Sequence, residues 1–136
     1  METTGREVPS DLREAYARVR ATTERLASVL SGEDQTVQTM PDVSPTKWHR
    51  AHVTWFFETF ILGEYVTGYR AFDDAYAFIF NSYYEAMGAR HPRPERGFLS
   101  RPGIEKIARY RAHVDGAMEA LLRDPGRVRS NLGAQP

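Results

Sequence analysis

The chain has 136 residues with 18 basic and 18 acidic side chains, so its formal net charge at pH 7 is zero. This balance leaves no field that would attract nucleic acid or an anionic membrane, which argues against both kinds of partner. Without cysteine there can be no disulfide, thiolate catalysis or thiolate metal site, and only histidine and carboxylates remain as metal ligands. We find no signal-peptide core and no apolar run of the roughly 20 residues that span a bilayer. We therefore expect a soluble cytoplasmic protein with one domain.

A polar N-terminal tail is predicted over residues 1–9, followed by a first long helix over residues 10–31. Apolar residues recur in this helix at steps of three and four, which predicts the face that packs on the core. That face consists of Leu12, Tyr16, Val19, Leu26 and Leu30. The arginine and glutamate residues lie largely off it, and Gly32 is placed to end the helix. Residues 33–43 lack a clear period and contain Pro41, which indicates a connection.

A second helix is predicted over residues 44–66, with Ser44 as its cap and Pro45 at its first position. One face of this helix is apolar and aromatic, and a single histidine lies in its middle. The residues of this face are Trp48, His52, Trp55, Thr59, Leu62 and Val66, with Phe56 and Phe60 beside them. The rest of the chain is organised around this helix.

The remaining elements are less regular until the third long helix. Residues 75–87 are dense in aromatic side chains and fit either a short helix or an extended segment. Residues 88–102 contain three prolines and two glycines, which predicts an arginine-rich loop without a regular element. A third long helix follows over residues 102–123, with an apolar face of Ile104, Ile107, Val114, Met118 and Leu121 at helical spacing, and an irregular tail over residues 124–136. The predicted fold class is all-α: three long helices and a short aromatic segment, which form a bundle without its fourth helix.

His52 has two possible roles on an apolar face. A buried imidazole needs a partner for each ring nitrogen, so His52 is either hydrogen-bonded into a core or bound to a metal. The chain contains no Glu-x-x-His or His-x-x-x-His pair, and only His49 lies one turn away. Spacing alone therefore favours a core histidine, and the aromatic stripe is equally typical of a core.

Three ungapped stretches nevertheless resemble one family. They are SPTKWHRAHVTWFFETFIL, FNSYYEAMGARHPRPERGFLSRP and YRAHVD, in this order. Together they are similar to the N-terminal part of the DinB-like domain of the ergothioneine-biosynthesis sulfoxide synthases, also called hercynine oxygenases. The resemblance extends from about residue 10 to residue 123. It implies a DinB-like four-helix bundle over residues 10–123 that is here truncated.

The resemblance also implies a cofactor, two substrates and three site residues. In that family the bundle holds a mononuclear iron(II) through three histidines, and the first of them matches His52 rather than His49. The enzyme uses oxygen to join a cysteine-type thiol to hercynine, which gives a sulfoxide. A His-Pro-Arg-x-x-Arg segment holds the carboxylates of the thiol substrate, and the matching residues are Arg93 and Arg96. A guanidinium binds a carboxylate bidentately, although a solvated surface loop would have the same composition. We expect structural roles for His113 and assign none to His91.

The sequence also departs from the family pattern. The two other iron ligands form a His-x-x-x-His motif on the fourth helix, which is absent here, and so is the large C-terminal domain that resembles the formylglycine-generating fold. We therefore assign no catalytic residue and expect that the isolated chain is inactive and binds no iron(II). A split, frameshifted or fragmentary gene would explain this, and a His-x-x-x-His segment in the downstream DNA would support it.

Two interpretations remain open. In the first, the chain is the front part of an iron-dependent sulfoxide synthase, and a complementary chain supplies the missing ligands. In the second, it is a non-catalytic helical remnant or interaction module. Such a module would associate with itself or with another protein through an uncovered apolar face, because a large exposed apolar patch promotes association.

Overall fold

The computed structural model describes residues 4–81, 91–98 and 101–124, and within them every regular element is helical. The α-helices are α1 (Thr4–Ala27), α2 (Gly32–Thr36), α3 (Thr46–Phe57, continued by Glu58–Leu62 and Gly63–Tyr65), α4 (Tyr76–Phe80) and α5 (Ile104–Arg123). A 3-10 helix covers Arg93–Phe98. The predicted all-α class is confirmed. Residues 82–87 of the aromatic segment and the tail from residue 125 onward lie outside the described residues.

The ends of α1 differ from the prediction. The helix begins at Thr4, so part of the predicted tail is helical even though it contains Gly5 and Pro9, which are poor helix formers. It ends at Ala27 rather than at residue 31. The hydroxyl of Ser31 accepts a hydrogen bond from the Asp34 amide at 3.1 Å and caps α2. Gly32 therefore opens a second helix instead of ending the first.

Helix α3 is the central element, in contact with α1, α2, α4 and α5. The predicted cap at its start was wrong. Pro45 occupies the N-cap position without a side-chain hydrogen bond, and the Ser44 hydroxyl accepts from Arg96 instead. Near its end the helix widens into a π-helical stretch, Glu58–Leu62. Such widening is rare and leaves one backbone position out of the α-helical pattern.

Glu58 starts the π-helical stretch and ties α3 to the segment that follows. Its carboxylate accepts hydrogen bonds from the Tyr69 hydroxyl at 2.6 Å, the Phe72 amide at 3.0 Å and the Tyr110 hydroxyl at 3.2 Å. The chain turns just before Tyr69, at Gly68, whose φ of 76° favours glycine. The carboxylate of Glu58 is thus occupied by Tyr69, Phe72 and Tyr110.

The core lies between α3, α4 and α5. Its members are Trp48, Ala51, Trp55, Leu62, Tyr76, Phe80, Ile107, Tyr110, Val114, Met118 and Leu121, each at most 3% exposed. The apolar periods predicted for the second and third long helices therefore do mark their buried faces. The third helix begins at Ile104, two residues after the predicted start. None of the described helices is long and apolar enough to cross a membrane.

The predicted core face of α1 was wrong at three of its five positions, although Tyr16 does pack against the core. Leu12, Val19 and Leu26 are 51%, 60% and 69% exposed, whereas Arg20 is only 4% exposed. The buried side of α1 is polar because it meets charged groups of α3 and α5, described below. A pattern of apolar residues cannot reveal an interface that consists of ion pairs.

The prediction of an irregular loop over residues 88–102 was also partly wrong. Residues 93–98 form one 3-10 helix that carries both Arg93 and Arg96. Pro94 is compatible with this turn, because a proline near a helix start removes an amide that has no partner there anyway. The predicted loop therefore presents its arginines from a defined piece of backbone.

Candidate metal and substrate site

Three rings on one side of α3 form a stack with His52 in the middle. The Trp48 and His52 rings are nearly parallel, 11° apart, with centroids separated by 4.7 Å. The His52 and Trp55 rings are 17° apart with a centroid separation of 5.7 Å. The indole nitrogen of Trp48 donates to the Ile79 carbonyl at 2.8 Å, which fixes one end of the stack against α4. The orientation of the imidazole is therefore set on both faces.

A backbone carbonyl fixes the tautomer of His52. Its Nδ1 lies 2.6 Å from the Phe80 carbonyl oxygen. A carbonyl can only accept, so Nδ1 carries the proton and Nε2 of the neutral ring keeps a lone pair. Metal-binding histidines are commonly held by such a hydrogen bond from the other ring nitrogen. The half-buried His52 therefore has the protonation and the support that a metal ligand needs.

The environment of His52 also favours the neutral ring. Burial lowers its pKa, the hydrogen bond to the Phe80 carbonyl raises it, and the positive charge of Arg96 lowers it. The net result is a pKa below the usual value of 6.5. A neutral imidazole at pH 7 is the form that binds metals.

The 3-10 helix brings Arg96 to the same stack. Its guanidinium carbon lies 3.6 Å from the centroid of the Trp48 ring, on a side chain that is 2% exposed. Arg96 Nη1 donates to the Ser44 hydroxyl at 2.8 Å. Arg93 is half-buried on the same turn, and its carbonyl accepts from Gln38 at 2.7 Å. The structure thus connects Arg96, Trp48 and His52 in one run of contacts.

The other three histidines have contacts of their own. The His49 residue is largely exposed and its ring meets the edge of Trp48; partial desolvation of that ring, with the charges of His52, Arg96 and Arg93, lowers its pKa. His91 Nε2 lies 3.0 Å from the Glu95 carbonyl, within the arginine loop. His113 packs on Tyr69, with its Nε2 3.3 Å from the Arg70 carbonyl. Among residues 4–81, 91–98 and 101–124, no group of three histidine or carboxylate side chains could hold a metal ion.

The opposite side of α3 carries an ionic cluster that joins α1, α3 and α5. We call it the arginine cluster: Arg20, Arg50 and Arg111 with Glu24 and Asp115. Residues two positions apart on a helix point in nearly opposite directions, so Arg50 faces away from His52. The cluster has three guanidinium groups and two carboxylates, and all three arginines are at most 6% exposed.

Glu24 is the centre of one half of the cluster. Arg50 Nε donates to Glu24 Oε2 at 2.9 Å, and Arg50 Nη2 donates to Oε1, so the pair is bidentate. Arg111 Nε lies 2.7 Å from Oε2 as an ion pair that lacks the geometry of a hydrogen bond. Burial alone would raise the pKa of Glu24, but the hydrogen bonds from Arg50 and the charges of three arginines lower it overall.

Asp115 is the centre of the other half. Its Oδ1 accepts from Arg20 Nε at 2.7 Å and from the Tyr16 hydroxyl at 2.6 Å. Arg20 Nη2 continues to the Thr54 hydroxyl on α3 at 2.7 Å. Burial and the charge of Arg20 lower the pKa of Arg111 to about 10, although carboxylates oppose this. The cluster is a structural joint, in which each described carboxylate holds charges from another helix.

Two features escaped the sequence analysis. Tyr16, Arg20 and Glu24 are four residues apart, and this polar stripe at helical spacing was a usable signal for the buried side of α1. Gln38 gave no signal, because it lies in a connection without a period. Its partners in the 3-10 helix, Arg93 and Gly97, lie 55 and 59 positions further along the chain.

Comparison with known families gives one match. The DinB superfamily matches residues 15–133, which covers most of the chain and extends through the predicted tail as far as residue 133. No protein of curated function matches the chain. The match covers far more than half of the chain, and every regular element of the described residues is helical. The chain therefore belongs to the DinB superfamily.

Proposed function

We propose that this chain contributes His52 as one ligand of a mononuclear iron(II) site in an oxygen-dependent sulfoxide synthase of the ergothioneine pathway. The observation that carries the proposal is the hydrogen bond from His52 Nδ1 to the Phe80 carbonyl, which leaves Nε2 as a lone-pair donor. Sulfoxide synthase activity itself rests on the resemblance of three sequence stretches. The superfamily match supports the fold and leaves the reaction open.

The donor set fits iron(II) only in part. Imidazole nitrogen is a suitable ligand for non-haem iron, and His52 meets this requirement. The described residues offer no group of three ligands, so the proposal requires further ligands from outside them. When bound, the metal would activate oxygen for carbon–sulfur bond formation between hercynine and a cysteine-type thiol. Because one imidazole is a poor site, we expect the isolated chain to form no stable iron(II) complex, so that any contact of iron(II) with His52 is transient.

We propose that Arg93 and Arg96 bind the carboxylates of the thiol substrate. Support comes from their shared 3-10 helix and from the contact of Arg96 with the stack around His52. Arg93 is half-buried and needs no large movement to meet a carboxylate. Arg96 is covered by its surroundings and would have to shift from Trp48 to form a bidentate pair.

A second candidate function is association without catalysis. Leu12, Val19 and Leu26 are exposed at intervals of seven residues along α1, and seven residues are two helical turns. They form an apolar line on the outside of the protein that a second copy or a complementary chain would cover. This candidate does not need the His52 stack, which distinguishes it from the first.

The ligand role of His52 is testable in the chain itself. We would add iron(II) without oxygen and follow the ring-proton NMR signals of the four histidines, because bound iron(II) broadens nearby signals. The proposal predicts that His52 broadens at the lowest metal concentration and that His52→Ala abolishes the early phase. The matched control, His113→Ala, should keep it. An early phase that survives in His52→Ala would contradict the proposal.

A further inference from the structure

Gln38 uses its whole side-chain amide to hold the arginine-bearing turn. Its Nε2 donates to the Arg93 carbonyl at 2.7 Å and to the Val43 carbonyl at 2.9 Å. Its Oε1 accepts from the Gly97 amide. The two donated hydrogens go to different segments, so the amide ties the 3-10 helix to the connection between α2 and α3.

Gly97 is shaped to receive Gln38. A Cβ atom at position 97 would lie 2.7 Å from both Cβ and Oε1 of Gln38, and real Cβ atoms essentially never approach other atoms so closely. Part of the clash is with Gln38 Cβ, which stands on the backbone and cannot swing away as a side-chain end can. The short contact between the two residues therefore depends on the missing side chain of Gly97.

The two points held by Gln38 enclose Arg96 in the sequence. Arg93 lies three residues before Arg96 and Gly97 directly follows it, so the backbone on both sides of Arg96 is fixed. The Arg96 guanidinium then rests on Trp48, and Trp48 stacks on His52. A continuous series of contacts runs from Gln38 to the candidate metal ligand.

On the side of Gln38 the turn borders an open cleft. A cleft of about 750 Å³ lies there, lined by Gln38, Pro94 and Gly97 together with residues 36–41. Other contacts of the segment include the Arg96 bond to Ser44 and the contacts of His91 with Phe78 and Glu95.

We propose that Gln38 is a positioning residue: it fixes the Arg93–Phe98 turn so that Arg96 stays stacked on Trp48 beside His52. An effect of Gln38 on substrate binding rests on the proposed function, because the turn holds a thiol carboxylate only if Arg93 and Arg96 bind the thiol substrate. The stacking itself is a property of the chain and needs no substrate. The two parts can therefore be tested separately.

The stacking is measured by acrylamide quenching of Trp48 fluorescence. The chain has two tryptophans, so Trp55→Phe leaves Trp48 as the single reporter. In this background Arg96→Ala uncovers the ring and sets the scale of the effect. We expect Gln38→Ala to raise the quenching constant by at least half of that increase. Gln38→Glu should do the same, because it keeps the size and an acceptor but removes both donors.

Gln35→Ala is the matched control. Gln35 is a buried glutamine whose amide, like that of the half-buried Gln38, makes three hydrogen bonds: to the carbonyls of Ala27 and Leu30 and from Arg50. It has no bond to the turn, so its loss should leave Trp48 quenching unchanged. Gly97→Ala should reproduce the Gln38→Ala result from the other side of the contact. Circular dichroism on each variant identifies those that fold, and the comparison uses these.

The outcomes separate the two proposals. Unchanged quenching in folded Gln38→Ala and Gly97→Ala would overturn the positioning role and leave the proposed function untouched. Raised quenching in both, together with an iron(II) titration in which the His52 signals are not the first to broaden, would establish the positioning role and count against the proposed function alone. An equal increase in Gln35→Ala would also overturn the proposal, because it would mean that any lost glutamine loosens Trp48.

Discussion

The two sides of α3 pack through different kinds of interaction. On one side Trp48, His52 and Trp55 form an aromatic stack, with both tryptophans at most 3% exposed. On the other side Arg50 joins α1 and α5 through Glu24 and Arg111. Burial of apolar area stabilises the first side without strict geometry, whereas the second depends on each charge finding its partner. The predictions below test this difference, from the largest expected effect to the smallest.

Trp55→Ala should be the most damaging change. It removes a large ring that is 2% exposed and stacks on His52. We expect a loss of about 3–5 kcal/mol in the free energy of unfolding, from lost transfer energy and the cavity left behind. Urea unfolding followed by circular dichroism measures it. Trp55→Phe, the control, should cost clearly less, and equal losses would mean that the site is not tightly packed.

Glu24→Ala should be the most damaging change on the ionic side. It leaves Arg50 and Arg111 buried without their shared carboxylate. We expect a loss of about 3 kcal/mol in the free energy of unfolding, at the low end for a broken buried pair because Glu24 is partly exposed. The control Glu119→Ala breaks pairs with Arg13 and Arg123 that are exposed, so it should cost at most about 1 kcal/mol.

Equal and small effects of Glu24→Ala and Glu119→Ala would contradict a cluster that joins the helices. The same urea titrations would then indicate that the aromatic side of α3, and not the arginine cluster, supplies the stability of the chain. A larger effect of Glu24→Ala than of Trp55→Ala would reverse the order that we expect for the two sides of α3.

Acid should weaken the ionic side selectively. The pKa of Glu24 is lower in the folded chain than its ordinary value of 4.5, so the unfolded chain binds more protons near that pH. The stabilisation is complete above the unfolded pKa and is lost as pH falls through the folded pKa. Wild type should therefore lose more stability than Glu24→Gln between pH 6 and about pH 3, as measured by urea midpoints. Parallel losses would contradict this origin of the pKa shift.

Exposed apolar residues of α1 should matter least for stability. Leu26 is 69% exposed, and Leu26→Ser should change the free energy of unfolding by less than about 0.5 kcal/mol. A loss above about 2 kcal/mol would mean that Leu26 is buried in solution, as its apolar spacing in the sequence predicts. Sedimentation at several protein concentrations tests the second candidate function with the same variant. If the apolar line mediates association, Leu26→Ser should sediment as a smaller species than wild type.

The sequence analysis succeeded where burial follows apolar spacing. The aromatic face of α3 and the face of α5 with Ile107, Val114 and Met118 are buried as predicted. It failed for α1, because Arg20 is buried by partners 34 and 95 positions away that no local pattern reveals. The Gln38 contact escaped for the same reason.

The candidate site was predictable only in outline. Resemblance singled out His52, Arg93 and Arg96, and the structure brings both Arg96 and His52 against the ring of Trp48. Their metal and substrate roles stay predictions. The tautomer of His52 was out of reach of the sequence, because the Phe80 carbonyl that sets it lies 28 positions away.

The measurement that tests the central claim most directly is the tautomer of His52 in solution. Nitrogen-15 NMR of the histidine rings at pH 7 distinguishes a protonated nitrogen from one with a lone pair, and His52→Gln assigns the signal by its loss. Our account predicts a neutral ring with the proton on Nδ1 and a lone pair on Nε2. A proton on Nε2, or a charged ring, would contradict a His52 prepared as a metal ligand.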